Sequence, residues 1–198
     1  MSRVLFGMFL AVLFLAVGGG VWLYRGKVPV AVTDPQFPFE SQITGLALHA
    51  RIDRELIQLP PIQPDEHVYI AGAHIYGEMC ATCHGYHGKP SGIGQTMFPE
   101  APQLWEKHHS GPAVGVSDDP PGETYWKVAN GIRLTGMPEF RSQLSDTEMW
   151  QVSLLLANAD KPLPPAAISL LRGEPAPTPP PPPTPVKVPA TAPAMSTP

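Results

Sequence analysis

At 198 residues the chain is long enough for one ordinary domain with extensions. Its formal charge of -4 argues against nucleic-acid binding, which needs a basic surface. The 27 prolines are abnormally many and gather toward the C-terminal end, where a packed core is not expected.

Val4 to Tyr24 is a run of 21 residues without a charge, long enough to span a bilayer. Arg3 precedes it, and Arg25 and Lys27 follow. Trp22 and Tyr24 stand at its outer end, where amphipathic aromatics favour the membrane interface. A cleaved signal peptide is the rival reading. It fits less well, because the apolar run is long and no clear A-x-A site follows it; Gly18-Gly19-Gly20 is the weakest point of the anchor. Residues 1-25 are therefore expected to be a transmembrane anchor. The flanking basic residues do not orient it.

Residues 26-64 carry Pro29, Pro35, Pro38, Pro60, Pro61 and Pro64 and read as a tether with one helical insert near 41-57. Ile43, Leu46, Ala47, Ala50, Leu56 and Ile57 recur at helical spacing, with Arg51, Asp53, Arg54 and Glu55 between them. Such a helix packs on the neighbouring domain or on a partner subunit. A membrane-surface role fits less well, because the polar face is mixed rather than basic.

Residues 65-160 form the expected main domain. Pro64, Asp65 and Glu66 suit the start of a helix that runs to Cys83. Gly72 and Tyr76 stand eight and four residues before Cys80, on one helix face. A helical glycine costs about 1 kcal/mol, so Gly72 is expected to permit a close helix crossing. The chain's only two cysteines follow, in Cys80-Ala81-Thr82-Cys83-His84. C-x-x-C-H is the pattern of c-type haem attachment. Two thiols about one helical turn apart add to the two vinyl groups of one haem, and the next residue places its imidazole on the iron. A thioredoxin-like pair needs a βαβ setting that the flanks lack, and a zinc site needs a second ligand pair; the adjacent His108 and His109 hold one metal poorly. A disulfide across two residues is geometrically unfavourable.

The glycine-rich stretch His84 to Leu104 can wrap a haem edge, and a carbonyl within Lys89-Pro99 is the expected partner for the second ring nitrogen of His84. Trp105 to Gly122 reads as an irregular surface insertion. Glu123 to Ile132 reads as a short helix stopping near Asn130-Gly131. Leu134-Thr135-Gly136-Met137-Pro138 follows, and Met137 is the sixth-ligand candidate, with Met97 the alternative 13 residues after His84. Ser145-Asp146-Thr147-Glu148 is a capping box opening a helix to about Asn158, whose Val152 and Leu155 are placed to cross the Gly72-Tyr76 face. Trp150 reads as core. Arg133 and Trp126 are open between a propionate contact and a bland role as exposed arginine and core tryptophan. Residues 161-198, with Pro179 to Pro183 unbroken, read as a disordered or polyproline tail, in which Ala166 to Arg172 has room for one packed helical turn.

Taken together, Gly72-x-x-x-Tyr76-x-x-x-Cys80, Cys80-Ala81-Thr82-Cys83-His84-Gly85, Ala101-Pro102-Gln103-Leu104, Asn130-Gly131-Ile132 and Gly136-Met137-Pro138 resemble a class I monohaem cytochrome c of the membrane-anchored bacterial type. The likeness covers roughly residues 65 to 158, about half the chain. It implies an all-α fold of three to five helices around one covalent haem c, attached through Cys80 and Cys83 with axial His84 and Met137. It implies an electron carrier without substrate chemistry, tethered on the outer, periplasmic side of a bacterial inner membrane. It also implies redox-partner proteins of a respiratory or photosynthetic chain, with no nucleic acid and no small-molecule substrate. A fixed subunit of a larger respiratory complex is the alternative. A haem enzyme or gas sensor, with His74, His87, His108 or His109 as distal bases, is the weaker third reading. From Pro64 to Lys161 the balance is six Lys/Arg against twelve Asp/Glu, so a charge-selected partner needs a basic or neutral face.

Overall fold

The computed structural model describes residues 2-26, 28-107 and 111-174. Lys27, His108, His109 and the proline run Pro179-Pro183 lie outside the described residues. Within them the regular structure is helical, with two isolated bridges, Tyr86 to Lys89 and Lys107 to Val114.

Helix α1 (Ser2-Tyr24) carries the apolar run. Its window Arg3-Tyr24 has mean hydropathy 2.5 and none of it is buried in the protein, so α1 has the length and composition of a membrane anchor. The Trp22 ring at its outer end lies 6.2 Å from Phe37.

Helix α2 (Glu40-Glu55) occupies the expected insert. It is docked on the domain rather than free. Ile52 is buried, and the Glu55 carboxylate accepts a 2.9 Å hydrogen bond from Trp126 Nε1 and a 2.7 Å contact from Arg51. The indole N–H holds the Glu55 carboxyl below the ordinary carboxylate range; desolvation opposes it, and the Arg51 guanidinium adds a lesser lowering. The Ile57 carbonyl abuts Gly122, where a side chain would not fit. Trp126 thus gives its donor to Glu55, and Arg133 is exposed.

Helix α3 (Glu66-Ile75) starts where the acidic cap predicts: Asp65 Oδ1 accepts from the Val68 amide at 2.9 Å. The expected unbroken helix to Cys83 is interrupted. Tyr76-Cys80 forms a π turn, with the Ala81 amide reaching back to the Tyr76 carbonyl, before α4 (Ala81-His84) resumes. One such turn inserts a residue into the helical register. A short α5 (Gly92-Gln95) follows.

Helix α6 (Pro121-Asn130) begins with proline in its first turn and stops at Gly131, whose φ of 64° suits glycine. Helix α7 (Asp146-Leu156) opens on the full Ser145/Glu148 capping box. It crosses α3 at Gly72, where an added Cβ would stand 2.5 Å from the Gln151 carbonyl oxygen and 3.1 Å from Leu155 Cβ. This is the crossing that Val152 and Leu155 were expected to make, and both are fully buried. Trp150 is core, stacked on Tyr125 at 4.3 Å. The Tyr125 hydroxyl donates to Asp146 at 2.7 Å, tying α6 to the start of α7.

The packed turn expected within Ala166-Arg172 is present and longer, and the Trp105 loop departs from expectation. Helix α8 (Pro165-Leu171) packs back on the domain with Ala167 and Leu171 buried, and the Leu171 carbonyl accepts from the His87 amide at 2.8 Å. The packed domain therefore runs past residue 160, and residues 161-174 belong with it rather than with a disordered tail. Trp105, placed by sequence in a surface insertion, is buried with its ring edge-on to Tyr76 at 5.5 Å. The loop after it turns back at Gly115, pressed against the Leu104 carbonyl with φ 56°.

Candidate haem-attachment site

Cys80, Cys83 and His84 fall on one turn because α4 carries the motif directly off the π turn. Neither cysteine is in a disulfide. Burial, then the neighbouring Cys83, pushes the Cys80 thiol up to about 12, so it stays protonated.

His84 Nδ1 lies 2.8 Å from the Pro102 carbonyl oxygen. The acceptor is three residues beyond the expected Lys89-Pro99 window. The carbonyl receives the Nδ1 proton, which leaves Nε2 with its lone pair free. Burial holds the His84 pKa below its ordinary value, with the Pro102 carbonyl opposing, so the imidazole is neutral, the form that binds a metal.

A four-residue helix ends with unsatisfied carbonyls, and each has a donor here. Ser91 Oγ donates to the Thr82 carbonyl. Gln103 Nε2 donates to Cys83 at 3.5 Å and to Ala101 at 3.0 Å. The His84 carbonyl accepts from the Leu104 amide at 3.4 Å, and the Gly85 carbonyl accepts from the Tyr76 hydroxyl at 2.6 Å. Gly94 packs directly on the Cys83 carbonyl, which admits no side chain. Tyr76 was expected as packing, and Pro102 and Gln103 stand in the Ala101-Leu104 stretch that carries the family resemblance, but Ser91 and the contacts all three make to the motif were not expected; nothing in the local pattern marks a residue that reaches its target 9 to 20 positions away.

Gln103 is the hub, since its Oε1 also accepts from the Ser91 amide at 2.7 Å. Gln103→Leu is expected to cost about 1-3 kcal/mol by leaving the half-buried Ser91 amide without its acceptor. Chemical denaturation of the purified protein measures it, and a stability equal to wild type would remove Gln103 from the cradle.

Met137 arises from a separate loop. The Ile132 amide donates to the Met137 carbonyl at 3.2 Å, and the Met137 amide donates to Thr135 Oγ1 at 3.1 Å. The Met137 side chain is half-buried and, like Cys80, packs on the main core. Met97 sits nearby: its sulfur is 2.9 Å from where a Cβ on Gly136 would stand. Gly136 thus admits the Met97 thioether beside the Met137 loop. His74 and His87 are both exposed.

The residues fit a covalent haem: two unpaired thiols three apart, and a neutral imidazole with one nitrogen already committed. This helical arrangement around a C-x-x-C-H turn defines a class I cytochrome c domain. Residues 69-154 match the family described as cytochrome C oxidase, cbb3-type, subunit III. No curated protein matches the chain. The domain's cofactor is haem c, and its activity is haem-based electron transfer.

Proposed function

We propose that the protein is a membrane-tethered single-electron carrier with one haem c, linked through Cys80 and Cys83 and axially ligated by His84 and Met137. The observation that carries this reading is the His84 Nδ1 contact to the Pro102 carbonyl, which aims the free nitrogen of a neutral imidazole from the same turn as both thiols. The bound haem supplies the one-electron redox couple. The chain's residues keep that site rigid. Tyr76, Ser91 and Gln103 hold the motif's carbonyls in place, so the imidazole has little freedom to reorient when the charge changes. The Pro102 hydrogen bond raises the basicity of the imidazole, and a thioether on the opposite side raises the potential. Held by both His84 and Met137, a haem would have no position left for a substrate, and it would supply single-electron exchange with a docked protein.

The anchor reading of α1 places the domain on the outer face of a bacterial inner membrane, because c-type attachment requires thiols outside the cytoplasm. The docking partner is a basic or neutral face of another redox protein. A fixed subunit of a larger oxidase is the second reading, supported by the oxidase-subunit description of the matching family. Stoichiometric co-purification with other subunits in mild detergent favours it over a free shuttle.

A carbon monoxide difference spectrum of the reduced, membrane-extracted protein tests the carrier reading. The expected result is no change, because a closed six-coordinate iron offers no site. A strong adduct would sink the reading and move the protein toward ligand binding.

A further inference from the structure

Helix α2 has two working faces, and the domain uses one of them. Ile52 and Glu55 meet the domain. On the side away from Ile52, positions 43, 46 and 50 recur at helical spacing, and Phe39, the left-handed N-cap, stands just before them. Three of these are large and apolar, and they stand in the open: Phe39 is 71% exposed, Ile43 65% and Leu46 73%. Solvated apolar side chains of this size in one row mark a surface that something covers.

We propose that this row rests on the bilayer, making α2 an interfacial helix that seats the cytochrome domain on the membrane with one side down. The proposal builds on the reading of α1 as an anchor. Continuity with α1 selects lipid as the occupant. Phe37 contacts Trp22 at the outer end of α1, the level where aromatic rings sit at a membrane interface. Phe39 follows two residues later and leads the exposed row. Val30 and Val32, in the chain between the two helices, are also exposed. The apolar surface therefore continues from the end of the span through the connecting segment to α2.

Charge plays little part. Asp53 and Arg54 flank the row with opposite signs, and Arg51 is paired with Glu55. The contact is apolar burial, so it should form equally on neutral and anionic lipid. Because the other face of α2 is fixed to α6 by Glu55, Trp126 and the Ile57-Gly122 contact, seating α2 also sets the orientation of the whole domain. The freely moving tether then shrinks to the chain between Tyr24 and Phe39.

The test uses the full holoprotein in phosphatidylcholine nanodiscs, carrying single spin labels at Leu46→Cys, Ile43→Cys, Ser41→Cys and Leu13→Cys. The native thiols are taken up by haem, so each label is unique. Accessibility to oxygen is compared with accessibility to a water-soluble nickel chelate. Labels at 43 and 46 are expected to favour oxygen, the label at 41 to favour the chelate, and the label at 13 to be lipid-embedded. Chelate-accessible labels at 43 and 46, with 13 still embedded, overturn the proposal and leave the anchor standing. If the same two labels become protected only in native membranes, a partner protein covers the row, which also overturns the lipid assignment. A chelate-accessible label at 13 brings down the anchor reading and the proposal with it. An unchanged haem absorption spectrum in each variant verifies folding.

Discussion

Met137→Ala is expected to give a reduced protein that binds carbon monoxide, with a midpoint potential well below wild type. The thioether is the sole protein group that our reading places on the sixth position, and alanine has nothing to coordinate with. Loss of a methionine ligand removes its preference for ferrous iron, and axial ligands set haem potentials over a range of about 0.8 V. The shift should be a sizeable part of that range. Met97→Ala is the necessary control. Its sulfur packs on Gly136 beside the Met137 loop, and it is the alternative ligand candidate in the glycine-rich stretch. It should keep the six-coordinate spectrum. Ligand-field and near-infrared spectra decide the matter: an unchanged spectrum in Met137→Ala rules out Met137, and a lost methionine band in Met97→Ala transfers the role to Met97.

The second large effect lies at the α3-α7 crossing. Gly72→Ala should destabilise the protein although alanine is the better helix former by about 1 kcal/mol. The added methyl would stand 2.5 Å from the Gln151 carbonyl oxygen and 2.9 Å from its carbon. Both are backbone atoms of a buried helix, so no side chain can swing aside. Forcing α3 and α7 apart opens the core around Val152 and Leu155, and overpacking of this kind costs about 1-3 kcal/mol. Less the propensity gain, the net loss is about 0-2 kcal/mol, which lowers the melting temperature by up to roughly 15 °C for a domain of this size. Gly77→Ala is the comparison, since an added Cβ there meets nothing within 4 Å. Thermal unfolding of both variants checks the sign. A Gly72→Ala protein stabilised as much as Gly77→Ala would mean that the helices separate at no cost and that the crossing is not close-packed.

Much of the molecule is legible in the chain because its signals are local. The C-x-x-C-H turn needs only five consecutive residues, the apolar run of α1 only its length, and the Ser145/Glu148 capping box only four positions. The α3-α7 crossing was readable because a glycine on one apolar face and Val152 with Leu155 on another leave one way to bury both. What the tertiary structure alone decided is long-range pairing. The Pro102 carbonyl, not one within Lys89-Pro99, meets His84, because the path of the intervening loop is set by Gly94 against the Cys83 carbonyl and by Gln103 reaching back to the motif. Trp105 is core because Gly115 turns its loop inward, and composition alone makes that loop look exposed. The π turn at Tyr76-Cys80 carries Tyr76, whose hydroxyl meets the Gly85 carbonyl nine residues away. Helices α2 and α8 carry weak amphipathic patterns, and their docking rests on partners distant in sequence: Trp126 and Gly122 for α2, the His87 amide and the core around Ala167 and Leu171 for α8. A one-dimensional pattern records which residues want burial; the surface that buries them exists only once distant segments have met.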